Sequence, residues 1–100
     1  LSYWNLALNE ANRINSPKFK STAYSAIANY FYANNQKDSA KLYATKAISS
    51  VNNTDFYTLN VGPAKLLLNI YHNSNIDSAY KYSEIYRLAS DSLFNIKTLN

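Results

Sequence analysis

The chain has 100 residues and a formal net charge of +4, one small domain's worth of sequence and enough to bury roughly two-thirds of its unfolded surface. It has no cysteine, one glycine and two prolines, which excludes disulfides and thiolate metal sites and leaves too few turn formers for a many-stranded β protein. The basic residues are scattered without a run, which argues against a nucleic-acid surface, and no apolar stretch approaches the ~18 residues of a membrane span.

Residues 1–15 read as a first helix with Trp4, Leu8 and Ala11 on one face, stopped by Ser16-Pro17. A second helix runs from Lys20 to Ala33 and ends in the polar turn Asn34-Asn35-Gln36. Asn35 is then the expected N-cap of a third helix, with Asp38 three residues later in a capping-box-like pattern. That third helix places Ala40, Tyr43, Ala44, Ala47, Ile48 and Val51 on one face. The link Asn52-Asn53-Thr54-Asp55 follows, with Thr54 or Asp55 as the next cap. The apolar stretch beyond it is interrupted by Gly62-Pro63, so a kinked or two-part helix is expected. After Asn73-Ser74-Asn75, with Ser74 as N-cap and Asp77 three residues on, a fifth helix shows Ala79, Tyr82, Tyr86 and Ala89 on one face, widened by Ile85 and Leu88. Ser90-Asp91-Ser92 reads as one more cap, opening a last, truncated helix of Leu93, Phe94, Ile96 and Leu99.

Two stretches of this chain are copies of one phrase. Ala40 and Ala79 stand 39 positions apart. At the same offset Ile27 pairs with Leu66, Phe31 with Ile70, Tyr32 with Tyr71, Asp38 with Asp77 and Ser39 with Ser78, without a gap. A fixed period of this size signals stacked supersecondary units. Each unit is two helices joined by a short polar turn. The paired alanines are small where helices cross closely, and leucine at either is expected to cost about 1–3 kcal/mol by overpacking.

With these residues in place, the chain resembles a tetratricopeptide repeat array. Tyr24, Ile27, Ala28 and Phe31 match the first helix of a unit, and Ala40, Ala44 and Ala47 the small residues of the second. Leu66, Leu67, Ile70 and Ala79 match again, with Ser83 and Tyr86 in the later places. Pro63 departs from the family pattern, which has an aromatic or leucine there, and the link between units is longer than the family's ~34-residue repeat requires. The resemblance implies an all-α fold, an α–α superhelix of stacked antiparallel helix pairs: half a unit at 1–17, units at 18–53 and 54–90, and the start of a capping or further helix at 91–100. It also implies a concave binding surface lined by the first helix of each pair, whose candidate residues are Ser25, Asn29, Tyr32, Leu68, Tyr71 and His72. The expected ligand is a protein or peptide. Ser25 stands where some members carry a clamp lysine for a carboxylate terminus. The tail Asn75–Tyr82 followed by Asp91–Phe94 resembles the final repeats of bacterial regulators, in which such an array precedes a transmembrane helix and a helix-turn-helix or histidine-kinase module. That implies a signal-transduction role, an extracytoplasmic (periplasmic) setting and a flanking membrane helix, with no membrane contact in these residues.

Chemistry is not written in this sequence. There is one histidine, His72, no cysteine and no nucleophile motif, so no metal, no cofactor and no enzymatic activity are expected. Two alternatives stay open: a helical-repeat module for single-stranded RNA, and a purely structural spacer or homo-oligomerising array.

Overall fold

In the computed structural model, which describes the backbone of residues 2–99 and the side chains of residues 2–94, every regular element is helical. The elements are α1 (Ser2–Arg13), α2 (Pro17–Ala33), α3 (Lys37–Ser50), a 3-10 turn (Tyr57–Asn60), α4 (Val61–Tyr71) and α5 (Ile76–Leu99). Helices α2 and α3 form one hairpin and α4 and α5 a second. Helix α1 packs on α2, and α3 on α4, so that the hairpins are joined into an array.

Asparagine does the turning that the scarce glycines do not. Asn15, Asn35 and Asn53 adopt left-handed φ values of 54°, 61° and 61°, a conformation asparagine enters more readily than other L-residues. At Asn15 the chain closes a C-terminal motif in which the Ser16 N–H donates to the Ala11 carbonyl at 3.0 Å; at Asn35 the Gln36 N–H donates to the Phe31 carbonyl at 2.9 Å. These six-to-one bonds satisfy helix carbonyls that would otherwise lack a donor. Asn35 therefore ends α2 and does not cap α3, whose N-cap position belongs to Gln36 without a side-chain bond. The Ser16-Pro17 pair is likewise more than a break: the Ser16 hydroxyl accepts from the Phe19 N–H at 3.2 Å and Pro17 opens α2, three residues earlier than the sequence alone suggests. Proline fits there because its missing N–H lies in a turn that has no intrahelical acceptor.

The second turn differs from the first. The α5 cap is Asn75, not Ser74: its Oδ1 accepts from the Ser78 N–H at 3.1 Å. Replacing Asn75 with alanine should lower stability by about 1 kcal/mol, whereas Ser74→Ala should change it by only a few tenths. Urea titrations of the two variants, followed by helical circular dichroism, test the assignment. Thr54 caps no helix either. Its hydroxyl donates to the Val51 carbonyl at 2.7 Å and accepts from the Phe56 N–H at 3.1 Å, closing the link locally. The expected two-part helix is present as the 3-10 turn running into α4, with Pro63 inside the first turn of α4 and fully buried.

The expected break at Ser90-Asp91-Ser92 is absent, and α5 runs through it. The polar side chains that could have capped a new helix are engaged elsewhere. Asp91 accepts from Arg87 Nη1 at 3.3 Å one turn earlier, and the Ser92 hydroxyl pairs with the Tyr57 hydroxyl at 2.9 Å. The chain thus has five α-helices among its described residues, without a separate truncated one. The expected positions Ile96 and Leu99 have side chains outside the described residues.

The core lies between the hairpins. Ala28, Ala40, Ala44, Leu66, Leu67 and Tyr82 form one buried cluster, flanked by the half-buried Phe31, Tyr43, Leu68, Ile70 and Tyr71. Ala47 and Val51 extend it along α3, and Ala89 along α5. Ring stacking repeats in each hairpin: Phe31 on Tyr43 at 5.6 Å, and Tyr71 on Tyr82 at 5.8 Å, both nearly parallel. The twin alanines are not equal, however. Ala40 is fully buried, while Ala79 is only half-buried. Leu88, expected on the inner face, is exposed. Helix α3 has neighbours on two sides, α2 and α4, whereas α5 packs only on α4 and the 3-10 turn.

Candidate functional site

The 3-10 turn and α4 bring the second hairpin against α2, and a groove forms along that line with Trp4 of α1 at one end. It consists of two adjoining cavities. The larger, about 300 Å³, lies among Trp4, Ser21, Ser25, Ala26, Asn29 and Leu59. The smaller, about 170 Å³, lies among Asn29, Tyr32, Gly62, Lys65, Leu66 and Asn69. Asn29 lines both, so the two cavities adjoin at that residue. Gly62 is held in ordinary helical conformation. A Cβ there would sit 3.7 Å from the Ser25 hydroxyl, ordinary van der Waals contact, so the glycine widens the groove without being sterically required.

Three of the expected binding residues, Ser25, Asn29 and Tyr32, line this groove. The other three do not. Leu68 and Tyr71 pack against the core cluster, and Lys41 Nζ lies over the Tyr71 ring at 5.4 Å. His72 is exposed at the end of α4. The residues of α4 that face the groove are Gly62, Lys65, Leu66 and Asn69.

A one-residue rotation explains the difference. The sequence copies align at 39, which transfers Asn29 onto Leu68 and Tyr32 onto Tyr71. In the structure the exposed positions Thr22, Asn29 and Tyr32 of α2 correspond to the exposed Gly62, Asn69 and His72 of α4, 40 positions on. The stacked rings agree: Phe31 and Tyr71 are 40 apart, while their partners Tyr43 and Tyr82 are 39 apart. One residue is about 100° of helix rotation, enough to turn a groove position into a core position. The polar series Gly62, Lys65, Asn69 was the available signal, since residues three and four apart share a helix face.

At the head of α4, Asn60 is 8% exposed and its Oδ1 has no hydrogen-bond partner. A buried acceptor in that state costs about 1–3 kcal/mol, and it directly follows Leu59 of the groove. Away from the groove lie two further concavities. An apolar cleft of about 300 Å³ runs between α1 and α2, among Tyr3, Trp4, Ala11, Ile14, Phe19 and Ala23. A polar one of about 410 Å³ holds Asn12, Lys20, Tyr24, Lys46, Ser49 and Ser50. Its lysines are engaged: Lys20 donates to Asn15 Oδ1 at 3.2 Å, and Lys46 lies over the Tyr24 ring at 5.7 Å.

The carboxylates are held in ion pairs or stand on open surface. Glu10 pairs with Arg13, whose hydrogen bond holds the Glu10 carboxyl below the ordinary carboxylate range. Arg87 joins Glu84 at 3.1 Å and Asp91 at 3.3 Å, and Lys41 joins Asp38 at 3.4 Å. Each pair lies within one helix, at spacings that bring side chains together on the helix surface. Among the described residues no group of three His, Cys, Asp or Glu side chains is placed to hold a metal ion, and no helix is long and apolar enough to cross a membrane.

No protein-family model matches the sequence, and neither a curated protein nor a solved structure shows significant similarity to it.

Proposed function

We propose that the chain is a non-catalytic module that binds a protein segment in extended form along the groove between α2 and α4. The observation that carries this reading is the pair of cavities joined at Asn29. An extended peptide presents alternating N–H and C=O groups that need partners. The groove offers amides at Asn29 and Asn69 and hydroxyls at Ser25 and Tyr32, each able to donate and accept. Trp4, Ala26 and Leu59 supply apolar wall for a side chain. The tail's resemblance to bacterial regulators supports placing the module in a signal-transduction protein, and the repeated helix pairs support the tetratricopeptide reading.

A random peptide library displayed on phage and selected against the chain supplies ligands for the test. Trp4 is the sole tryptophan and borders both the larger cavity and the α1–α2 cleft, so its fluorescence reports binding at either, and the groove variants below separate the two. The double variant Asn29→Ala/Asn69→Ala should weaken selected peptides about tenfold to a hundredfold, the equivalent of two hydrogen bonds. Lys37→Ala, exposed and off the groove, should leave binding unchanged. Selected peptides that bind the double variant as tightly as the original chain would overturn the reading.

One observation favours a second reading, a self-associating structural array. The apolar cleft between α1 and α2 is rimmed by Tyr3, Ile14 and Phe19, which are 70%, 47% and 54% exposed. Sedimentation velocity across a concentration series, with Phe19→Ser as the control, decides it: a dimer lost in the variant supports self-association through that cleft. Binding of single-stranded RNA has less support, since the groove walls hold one lysine where RNA recognition relies on clustered cations.

A further inference from the structure

The groove is electrostatically one-sided. Among the residues lining its two cavities there is no Asp or Glu, and Lys65 is the one charged side chain. Lys65 is exposed, and the ion pairs among the described residues, Glu10–Arg13, Asp38–Lys41 and Arg87 with Glu84 and Asp91, leave it without an acidic partner. The neutral groups around it, the Asn29 and Asn69 amides and the Tyr32 hydroxyl, can donate to the same anion. A carboxylate has more acceptor sites than one ammonium can fill. The adjoining cavity holds no charged side chain, and its wall sets Trp4, Ala26 and Leu59 beside the hydroxyls of Ser21, Thr22 and Ser25.

We infer that the groove selects an extended peptide in which an acidic side chain lies two residues from an aliphatic one. Lys65 reads the acid, and the Trp4–Leu59 cavity takes the aliphatic group. This rests on the peptide-binding reading above and names the ligand's chemistry. An extended chain presents side chains two residues apart on one face, about 6–7 Å from each other, and the two cavities share Asn29 as a wall, so neighbouring side chains of one face are the pair assigned to them. Asn29, which borders both cavities, then lies beside the intervening peptide unit, whose N–H and C=O its amide can meet. Lysine suits this role because a compact ammonium on a flexible stem reads charge without demanding one geometry. The chain's net charge of +4 adds long-range attraction for an acidic partner.

The test uses three synthetic hexapeptides, Gly-Leu-Ser-X-Ser-Gly, acetylated and amidated so that no terminal carboxylate contributes, with X as Glu, Gln or Lys. Binding is measured by calorimetry and Trp4 fluorescence on the intact chain. The Glu peptide should bind about tenfold tighter than the Gln peptide at low ionic strength, and its advantage should shrink as salt is raised. Lys65→Glu should reverse the order, with the Lys peptide tightest. Because Lys65 is exposed, that variant should keep the parent's circular dichroism. An order unchanged by Lys65→Glu overturns the inference. If Asn29→Ala still weakens all three peptides in that case, the groove reading stands. If Asn29→Ala weakens none, the groove reading falls with it. Failure of all three to bind at millimolar concentration also overturns the inference, and the library selection then decides the groove reading.

Discussion

Leu67→Ala lowers the stability of this chain by about 2–5 kcal/mol, the range for truncating a leucine that its surroundings cannot collapse around. Leu67 is fully buried in the cluster where the two hairpins meet, with Ala28 and Ala44 of the first and Tyr82 of the second. Three of the six residues in that cluster are alanines. They have no long side chains to swing into the space left behind, so the site should relax little and the cost should fall toward the upper part of the range. For a domain of this size total stability is about 5–15 kcal/mol, so the loss is a large share of it and should move the urea midpoint distinctly lower. Leu88→Ala is the matched control. Leu88 is 54% exposed, and the same chemical truncation there should change stability by no more than about 0.5 kcal/mol. Urea unfolding followed by circular dichroism measures both, and equal losses would contradict the placement of the core.

The second large effect is asymmetric. Ala40→Leu should cost about 1–3 kcal/mol by overpacking, and Ala79→Leu distinctly less. From the repeated phrase alone the two alanines are equivalent. In the structure Ala40 is enclosed because α3 is flanked by both α2 and α4, whereas Ala79 is half-open because α5 has α4 and the 3-10 turn for neighbours. A leucine at Ala79 can lean toward water; one at Ala40 must displace the crossing. Lys41→Ala, one residue away, calibrates the comparison. Its side chain pairs with the fully exposed Asp38 and lies over Tyr71. An ion pair open to water contributes little, so this variant should lose at most about 1 kcal/mol, mainly from the ring contact. Equal losses for Ala40→Leu and Ala79→Leu would show that the two hairpins are enclosed alike, contrary to the packing described.

These contrasts mark where the chain's information is local and where it is not. The helical identity of the elements, their pairing into hairpins and the inner face of α3 from Ala40 to Val51 were legible, because apolar residues recur at helical spacing and asparagine-rich links interrupt them. Cap assignments were legible only to within a residue. Asn35 and Asn75 sit in similar phrases, yet one closes a helix in left-handed conformation and the other opens one. An asparagine suits both tasks, so residue type does not choose between them. Of the candidate groove the sequence named residues on the α2 side, where Ser25, Asn29 and Tyr32 lie along it, and missed those of α4.

The rest was decided by neighbours. Helix α4 has a mean composition so apolar that several rotations about its axis would bury a comparable stripe; Leu66, Leu67, Leu68 and Ile70 compete for the same core. Packing against Tyr82 and α3 settles the contest with Leu67 innermost and Tyr71 stacked, and this swings Lys65 and Asn69 into the groove in place of Leu68. In α5 the potential cap at Ser90–Ser92 is silent because Arg87 and Tyr57 engage its polar groups, the latter from 35 residues away. By itself, then, the sequence determined which segments are helices and how they pair, since hydrophobic period and turn chemistry act over a few residues. Only the tertiary structure decided how each helix is rotated and therefore which side chains meet in the groove, since that rotation is set by which of several nearly equivalent apolar contacts can be buried at once.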